Sequence, residues 1–181
     1  MISLIPPKFR QDYEVAFREP LRLGGVWRIL TQASWLMIYF GRLGEARWAG
    51  IARFLFLLMA RRRGIEMKYS SRIGGGVVLG HAYGITVNSK VVIEGNCLLF
   101  KGSTLGDIRT GKRKGVPKLR RFVVVGLNAT ICGGVTIGND VFIAPGAFVN
   151  FDVPDHSVVV GNPGVVHAKY GAVRGYFKDF E

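Results

Sequence analysis

Cysteine is scarce in this sequence: Cys97 and Cys132 are the only two among 181 residues. Two thiols cannot supply the disulfide framework that staples small secreted domains. We therefore interpret both as reduced thiols and expect a cytoplasmic protein. Histidine is scarce as well, and the three histidines are too scattered along the chain to share one zinc ion, so no metal is expected.

The sequence also lacks long apolar segments. Its first residues have no basic start, apolar run and cleavage site of the kind that forms a secretory signal. The longest uncharged run near the N-terminus covers residues 29–41, whereas a membrane span needs roughly 18 or more apolar residues. We therefore predict no membrane-spanning helix and, at most, contact with the inner face of a membrane.

Acidic residues are few: 12 carboxylates face 25 lysines and arginines, which leaves a formal net charge of +13. Such a field attracts nucleic acid, acidic lipid, a phosphate-rich cofactor or an acidic glycan, and charge alone does not choose among them. Hydrophobic residues make up 49% of the chain, which excludes a disordered protein. The length suits one domain with a helical extension.

Residues 1–64 are predicted to form that helical extension. Gly41 and Gly44 are predicted to break it, and the second helix is expected from about residue 45 to residue 62, where a cationic turn precedes glycine. We expect the helices to pack on the rest of the protein, to build contacts between subunits, or to lie on a membrane surface. The predicted apolar face of the second helix is Ala46, Ala49, Ile51, Phe54, Leu57 and Leu58.

A repeat of six residues replaces the helical pattern over residues 65–168. Each repeat is a short strand and a tight turn, and three of them close a triangular coil with the aliphatic side chains inside. This predicts a mainly β fold, a parallel β-helix, interrupted by a basic loop at residues 107–118 and followed by a tail at 169–181. The strictest series is Leu119, Val125, Ile131, Ile137, Ile143 and Val149.

Four segments between residues 66 and 166 resemble the hexapeptide acyltransferases, within them the serine acetyltransferase-like branch. They read IGGGVVLGHAYGITVNSKVVIEGN, GSTLGD, VVVGLNATICGGVTIGNDVFIAPGAFV and DVPDHSVVVGNP. The resemblance implies a left-handed parallel β-helix and a homotrimer. It also implies that acetyl-CoA binds between neighbouring subunits and donates its acetyl group to a hydroxyl.

The same resemblance points to a catalytic base. The family places a histidine in a D-H-G/A-x-G segment, which is GHAYG here, and pairs it with an acid that corresponds to Glu66. This makes His81 the general base that takes the acceptor's proton, although His81 on its own would suit an ordinary turn. Glu66 would support the imidazolium, and backbone N–H groups near Gly106 would hold the oxyanion.

Acetyl-CoA is expected to lie along a wall of small residues, with Lys169 near its 3′-phosphate. The basic loop is either a solvated loop or a contact for CoA phosphates or an anionic acceptor, with Arg109, Lys112, Arg113 and Lys114 as its candidate residues. Nucleic acid is not expected there, because no aromatic residues alternate with the charges. The predicted small wall residues are Gly126, Ala129, Ala144, Gly146 and Gly161.

The sequence departs from the serine enzymes where they hold their acceptor. They carry an acid before the histidine and Arg-His-Pro in the loop, whereas this chain has Gly80 and Gly115-Val116-Pro117. Without those partners serine is expected to bind poorly. The leading prediction is therefore a sugar hydroxyl of a polysaccharide or its precursor, as in the capsule, exopolysaccharide and O-antigen O-acetyltransferases. Serine O-acetyltransferase and a non-catalytic, anion-binding β-helical scaffold are the alternatives.

Overall fold

The structure is a computed structural model that describes residues 5–22, 25, 33–43, 49–68 and 72–177. The helices are α1 (Pro7–Phe17), α2 (Ala33–Leu43) and α3 (Ala49–Arg61). The strands are β1 (Val77–Gly80), β2 (Thr86–Val87), β3 (Val92–Phe100), β4 (Thr104–Gly106), β5 (Lys118–Val125), β6 (Thr130–Cys132), β7 (Thr136–Ile137), β8 (Val141–Ile143), β9 (Phe148–Val149), β10 (Ser157–Val160) and β11 (Val165–Ala168).

The strands form a three-sided prism of stacked coils. Face 1 holds the first halves of β3 and β5 together with β7; face 2 holds β1, the second halves of β3 and β5, β8 and β10; face 3 holds β2, β4, β6 and β9. Neighbouring strands on each face are parallel, and only β11 adds to β10 in the antiparallel direction. Val123 pairs with Val141, so one coil takes 18 residues, as three six-residue repeats require.

The aliphatic residues of the repeat fill the interior of the prism. All six members of the strict series have no accessible surface. This confirms the predicted parallel β-helix and its inward-facing positions. Their burial is the main stabilising term of the domain, because each fully buried aliphatic side chain contributes on the order of 1.5–3 kcal/mol.

Two coils are longer than the rest, and their extra residues leave the prism at its edges. Val77 pairs with Cys97 and Cys97 with Val123, so these coils take 20 and 26 residues. The additional residues lie in the turn after β1 and in the loop between β4 and β5. Insertions collect at edges because a shift within a face would turn its aliphatic side chains out of the core.

A buried ion pair joins the helices to the first coil. Asp12 of α1 and Arg42 of α2 meet at 2.7 Å, and neither side chain has accessible surface. Arg42 also donates to the carbonyls of Ile73 and Gly74, and Asp12 accepts the N–H of Val77 at 2.8 Å. Burial raises the pKa of Asp12, while Arg42 and backbone N–H groups oppose that shift. Each charge is therefore fully partnered.

The helices differ from the prediction in two respects. Gly41 lies within α2, which continues to Leu43, so the predicted break at Gly41 is wrong. The predicted start of the next helix, Gly44, Glu45 and Ala46, lies outside the described residues, as does the side chain of Ala49. The predicted face of α3 is also wrong, because its residues Ile51, Phe54, Leu57 and Leu58 are exposed.

The buried face of α3 consists of Ala52, Phe56 and Ala60 instead. These three residues recur every four positions, which is also a helical spacing. Apolar residues surround α3 on nearly all sides, so periodicity could not decide which stripe faces the protein. Among the described residues, no helix is both long enough and apolar enough to cross a membrane.

The C-terminal segment, residues 169–177, packs on the outer surface of face 2. Val173 and Phe177 are buried there against Val124. Buried Asp140 accepts the N–H groups of Gly171 and Val173 at 2.7 and 3.0 Å. The segment predicted as a tail is thus fastened to the prism over these residues.

Candidate active site

His81 lies in the turn after β1, at the edge where face 2 meets face 3. Its backbone has a φ of 51°, and its side chain is exposed, with the ring centroid 6.4 Å from that of Phe100. Asn128, two coils further along this edge, has nearly the same φ. The left-handed conformation is therefore a property of the coil corner, and it directs the imidazole to solvent.

Backbone hydrogen bonds stack further turns on the His81 turn. Lys101 donates its N–H to the carbonyl of Gly80 at 2.9 Å, and Asn128 donates to Lys101 at 3.0 Å. The N–H of Gly146 donates to Leu127 at 2.8 Å. We call this column the His81 edge; its corners are residues 81–84, 101–102, 127–128, 145–146 and 161.

An open cleft of about 420 Å³ surrounds His81. Two of its residues are cations, Arg63 from the turn after α3 and Lys101 from the next coil. The Arg63 guanidinium lies 5.7 Å from the ring centroid of Tyr83, which is 54% exposed. No described residue of the lining is acidic. The lining consists of Arg63, His81, Ala82, Tyr83, Lys101 and Leu127.

The sequence reasoning missed both cations. Lys101 stands 20 residues after His81, the same offset that separates Val77 from its partner Cys97. The coil length would have placed the two side by side, had the insertion after β1 been counted into the register. Arg63 had no such signal, because it belongs to the turn that connects the helices to the first coil.

Glu66 is placed apart from His81. It pairs with Thr86 on face 3 and lines a second cleft together with Asn88, Gly106 and Asp107. Among the described residues, no hydrogen bond or ion pair joins Glu66 to His81. A single chain thus brings His81 together with two cations, and Glu66 together with Gly106.

The backbone at Gly106 is engaged with Cys132. Burial raises the pKa of the Cys132 thiol, and a hydrogen bond from the Gly106 backbone opposes that shift. The carbonyl of Gly106 accepts the N–H of Gly133 at 3.1 Å. Cys97 lies in the core, where burial raises the pKa of its thiol. Both cysteines are free, and neither lines the His81 cleft.

The residues predicted for acetyl-CoA divide into three groups. Gly146 and Gly161 are exposed on the His81 edge, and Ala144, which precedes one of its corners, is half-buried. Gly126 is buried below Pro145 on the same edge. Ala129 has no accessible surface, so its side chain faces the interior of the prism.

Lys169 and the basic loop lie away from the His81 edge. Lys169 is exposed, and its N–H donates to the carbonyl of His156 at 2.6 Å. The loop leaves the prism where face 3 meets face 1, an edge that we call the loop edge. Ile108 and Gly115 close it as an antiparallel bridge. Its side chains Arg109, Lys112, Arg113 and Lys114 are exposed, and none lines the His81 cleft.

A search of the described residues finds no group of three or more histidine, cysteine and carboxylate side chains that could hold a metal ion. His156, for example, contacts the single carboxylate of Asp140 at 2.8 Å.

Comparisons with known proteins agree with the resemblance in the sequence. The chain is 32% identical over 167 residues to a serine acetyltransferase of Synechococcus elongatus, which covers 88% of this chain and 68% of that protein. It is 30% identical to the serine acetyltransferase of Bacillus licheniformis, with 90% and 77% covered. A plant relative, serine acetyltransferase 2 of Arabidopsis thaliana, is 33% identical, but the chain spans only 46% of it. No model of a known protein family matches the chain.

Solved structures lead to the same group. The serine acetyltransferase of Neisseria gonorrhoeae in complex with serine superimposes with a TM-score of 0.73 at 28% identity, over 92% of this chain and 70% of that one. The Brucella abortus enzyme gives a TM-score of 0.74 at 26% identity, over 91% and 69%.

The fold and these comparisons define an acyltransferase built on a left-handed parallel β-helix, a class in which acetyl-CoA is the co-substrate. More particularly, the chain belongs to the serine acetyltransferase family.

The prediction that the chain is closest to polysaccharide O-acetyltransferases is therefore wrong. The relatives and structural neighbours reported above are serine acetyltransferases. The error came from reading Gly115 and Val116 as the sign of a sugar acceptor. Two missing side chains remove one way of holding serine, but they do not specify a different molecule.

Proposed function

We propose that this protein transfers the acetyl group of acetyl-CoA to the hydroxyl of serine. The observation that carries the proposal is similarity to serine acetyltransferases over about nine-tenths of the chain, one of them solved with serine bound. The exposed imidazole of His81, at an edge lined by Gly146 and Gly161, provides a base beside a surface open to a thioester. The reaction takes place in the cytoplasm.

In the proposed reaction, a ring nitrogen of His81 takes the proton of the serine hydroxyl. The hydroxyl oxygen bonds to the thioester carbonyl carbon, and the carbon–sulfur bond then breaks. The leaving thiolate of CoA recovers the proton from the imidazolium, so the base is regenerated. Backbone N–H groups near Gly106 hold the oxyanion, and Glu66 supports the positive charge on the imidazole.

The proposal places acetyl-CoA along the His81 edge, with its pantetheine arm against Ala144, Gly146 and Gly161. The loop edge is a different edge of the same chain, so Arg109, Lys112, Arg113 and Lys114 meet a cofactor bound at His81 only from a neighbouring subunit. A homotrimer satisfies this requirement, because each groove between two prisms then has one His81 edge and one loop.

Serine-dependent release of CoA tests the function. Purified protein is given acetyl-CoA with and without serine, and the free thiol is measured with a colour reagent. We expect release that rises with serine concentration and saturates, with O-acetylserine detected by mass spectrometry. Binding of acetyl-CoA without any serine-dependent release would contradict the proposal.

A further inference from the structure

Serine carries a carboxylate, and the proposed function leaves it without a partner, since Gly115 and Val116 have no charge to offer. We infer that Lys101 and Arg63 form the subsite for the acceptor's carboxylate, on either side of His81. This inference rests on the proposed function and deepens it by naming the residues that hold the acceptor.

The position of Lys101 follows from the stacking of coils. Its backbone N–H donates to Gly80, the residue before the base, so Lys101 occupies the next coil directly beside the His81 turn. Its side chain is exposed and lines the cleft. Among the described residues, no carboxylate pairs with its ammonium group. The charge is therefore available to a ligand.

Arg63 flanks His81 from the opposite side. Its carbonyl accepts the N–H of Gly84 at 2.8 Å, which places it one coil before the His81 turn. Its guanidinium lies near the face of Tyr83, an arrangement that orients the group without using up its N–H donors. No described acid pairs with Arg63. A guanidinium held in this way can bind a carboxylate through two parallel hydrogen bonds.

The protein keeps its own acids out of this cleft. A Cβ at Gly80 would lie 2.6 Å from the ring of Phe100, so no larger side chain fits there without moving that ring. The position directly before the base therefore cannot carry a carboxylate in this structure. The cleft remains positive on both sides of His81, and a small anion is the ligand that fits it.

The anion is the acceptor's carboxylate rather than a CoA phosphate because of where the reaction occurs. Only two carbons separate the hydroxyl oxygen of serine from its carboxyl carbon, so the carboxylate must lie beside the base. In acetyl-CoA the whole pantetheine arm separates the thioester from the nearest phosphate. Lys101 and Arg63 both line the cleft that contains the base itself.

The experiment compares Lys101→Gln and Arg63→Gln with the wild type, using serine and serinamide as acceptors. Each variant is expected to raise the KM for serine about 10- to 100-fold, because a hydrogen bond to a charged group is lost. The KM for acetyl-CoA should stay within about twofold, and serinamide, which has no carboxylate, should react equally with all three proteins. Lys90→Gln, an exposed lysine on the loop edge, is the matched control.

Three results would overturn the inference or its basis. If both variants keep the wild-type KM for serine, the subsite is wrong while the proposed function stands. If they raise the KM for acetyl-CoA instead, the cations bind a phosphate. If the wild type itself releases no CoA with serine, the proposed function fails and the subsite fails with it. Far-ultraviolet circular dichroism of each variant excludes a loss of folding as the cause.

Discussion

Two edges of the same prism carry positive charge in different ways. On the loop edge the charges are numerous and several are paired: Arg109 with Asp107 at 3.5 Å and Arg113 with Asp152 at 3.2 Å. On the His81 edge two cations stand beside an exposed imidazole, and no described acid pairs with them. The number of charges draws attention to the loop, whereas the absence of described partners indicates where a ligand's charge is needed.

The difference has a physical basis. An exposed ion pair between side chains contributes only about 0–1 kcal/mol and leaves little net field. A cation without a partner keeps its field for an incoming anion, and a cleft strengthens that field. The chemistry of the acceptor is therefore expected on the edge with fewer charges, and each prediction below tests that assignment.

The largest effect is expected from removing the base. His81→Ala should lower kcat for serine acetylation by about 10²–10⁴-fold, because a positioned general base contributes that much. The measurement is the steady-state rate of CoA release. His167→Ala, which changes another exposed histidine, should retain the wild-type rate. A fully active His81→Ala would remove the reason for placing the reaction on this edge.

Charge reversal compares the two edges directly. Lys101→Glu should raise the KM for serine by on the order of 100-fold, because it places a carboxylate where the acceptor's carboxylate binds. Lys112→Glu in the loop should leave the KM for serine within about twofold and raise that for acetyl-CoA instead. Kinetics with each substrate varied in turn separate the two. The comparison breaks if Lys112→Glu is the variant that impairs serine.

A smaller effect is expected at Glu66, which lies in the cleft beside Gly106. Glu66→Gln keeps the shape of the side chain and removes its charge, so it should lower kcat by roughly tenfold through a weaker hold on the imidazolium. The profile of kcat against pH is the readout, since a merely structural role would not move it. An unchanged profile would confine catalysis to the His81 cleft.

The smallest effect belongs to the third edge, where face 1 meets face 2. Hydrogen bonds from Asn139 lower the pKa of Asp155 there. A carboxyl whose pKa is lowered by folding stabilises the protein above its unfolded pKa, and this contribution is lost as the pH falls through the folded value. Asp155→Asn should cost under about 1 kcal/mol near neutral pH, and the difference should vanish below about pH 3. Urea denaturation at both pH values measures it.

The β-helix was predictable because its signal is local and repeated. Each of Leu119, Val125 and Ile131 reports the same event, an aliphatic side chain turned inward at a fixed interval. Six such reports in register leave little room for another fold. The stripe of α3 that packs inward was not predictable, since Phe54 and Phe56 are equally apolar and only the neighbouring elements distinguish them.

The candidate site shows the same division. The identity of His81 as the base came from a short motif, whose meaning does not depend on the rest of the chain. The separation of Glu66 from His81, and the interior position of Ala129, depend on which face or corner each residue occupies. An assignment from spacing alone cannot supply that information.

The amino-acid sequence by itself determined the coil, its inward-facing residues and the family, because each of these is written in a repeat or in a continuous motif. Only the tertiary structure decided that Lys101 and Arg63 flank His81 and that the basic loop leaves from a different edge. The physical reason is that stacking brings residues together across whole coils. Insertions of different lengths in those coils set the register, and a register becomes visible only when the strands are paired.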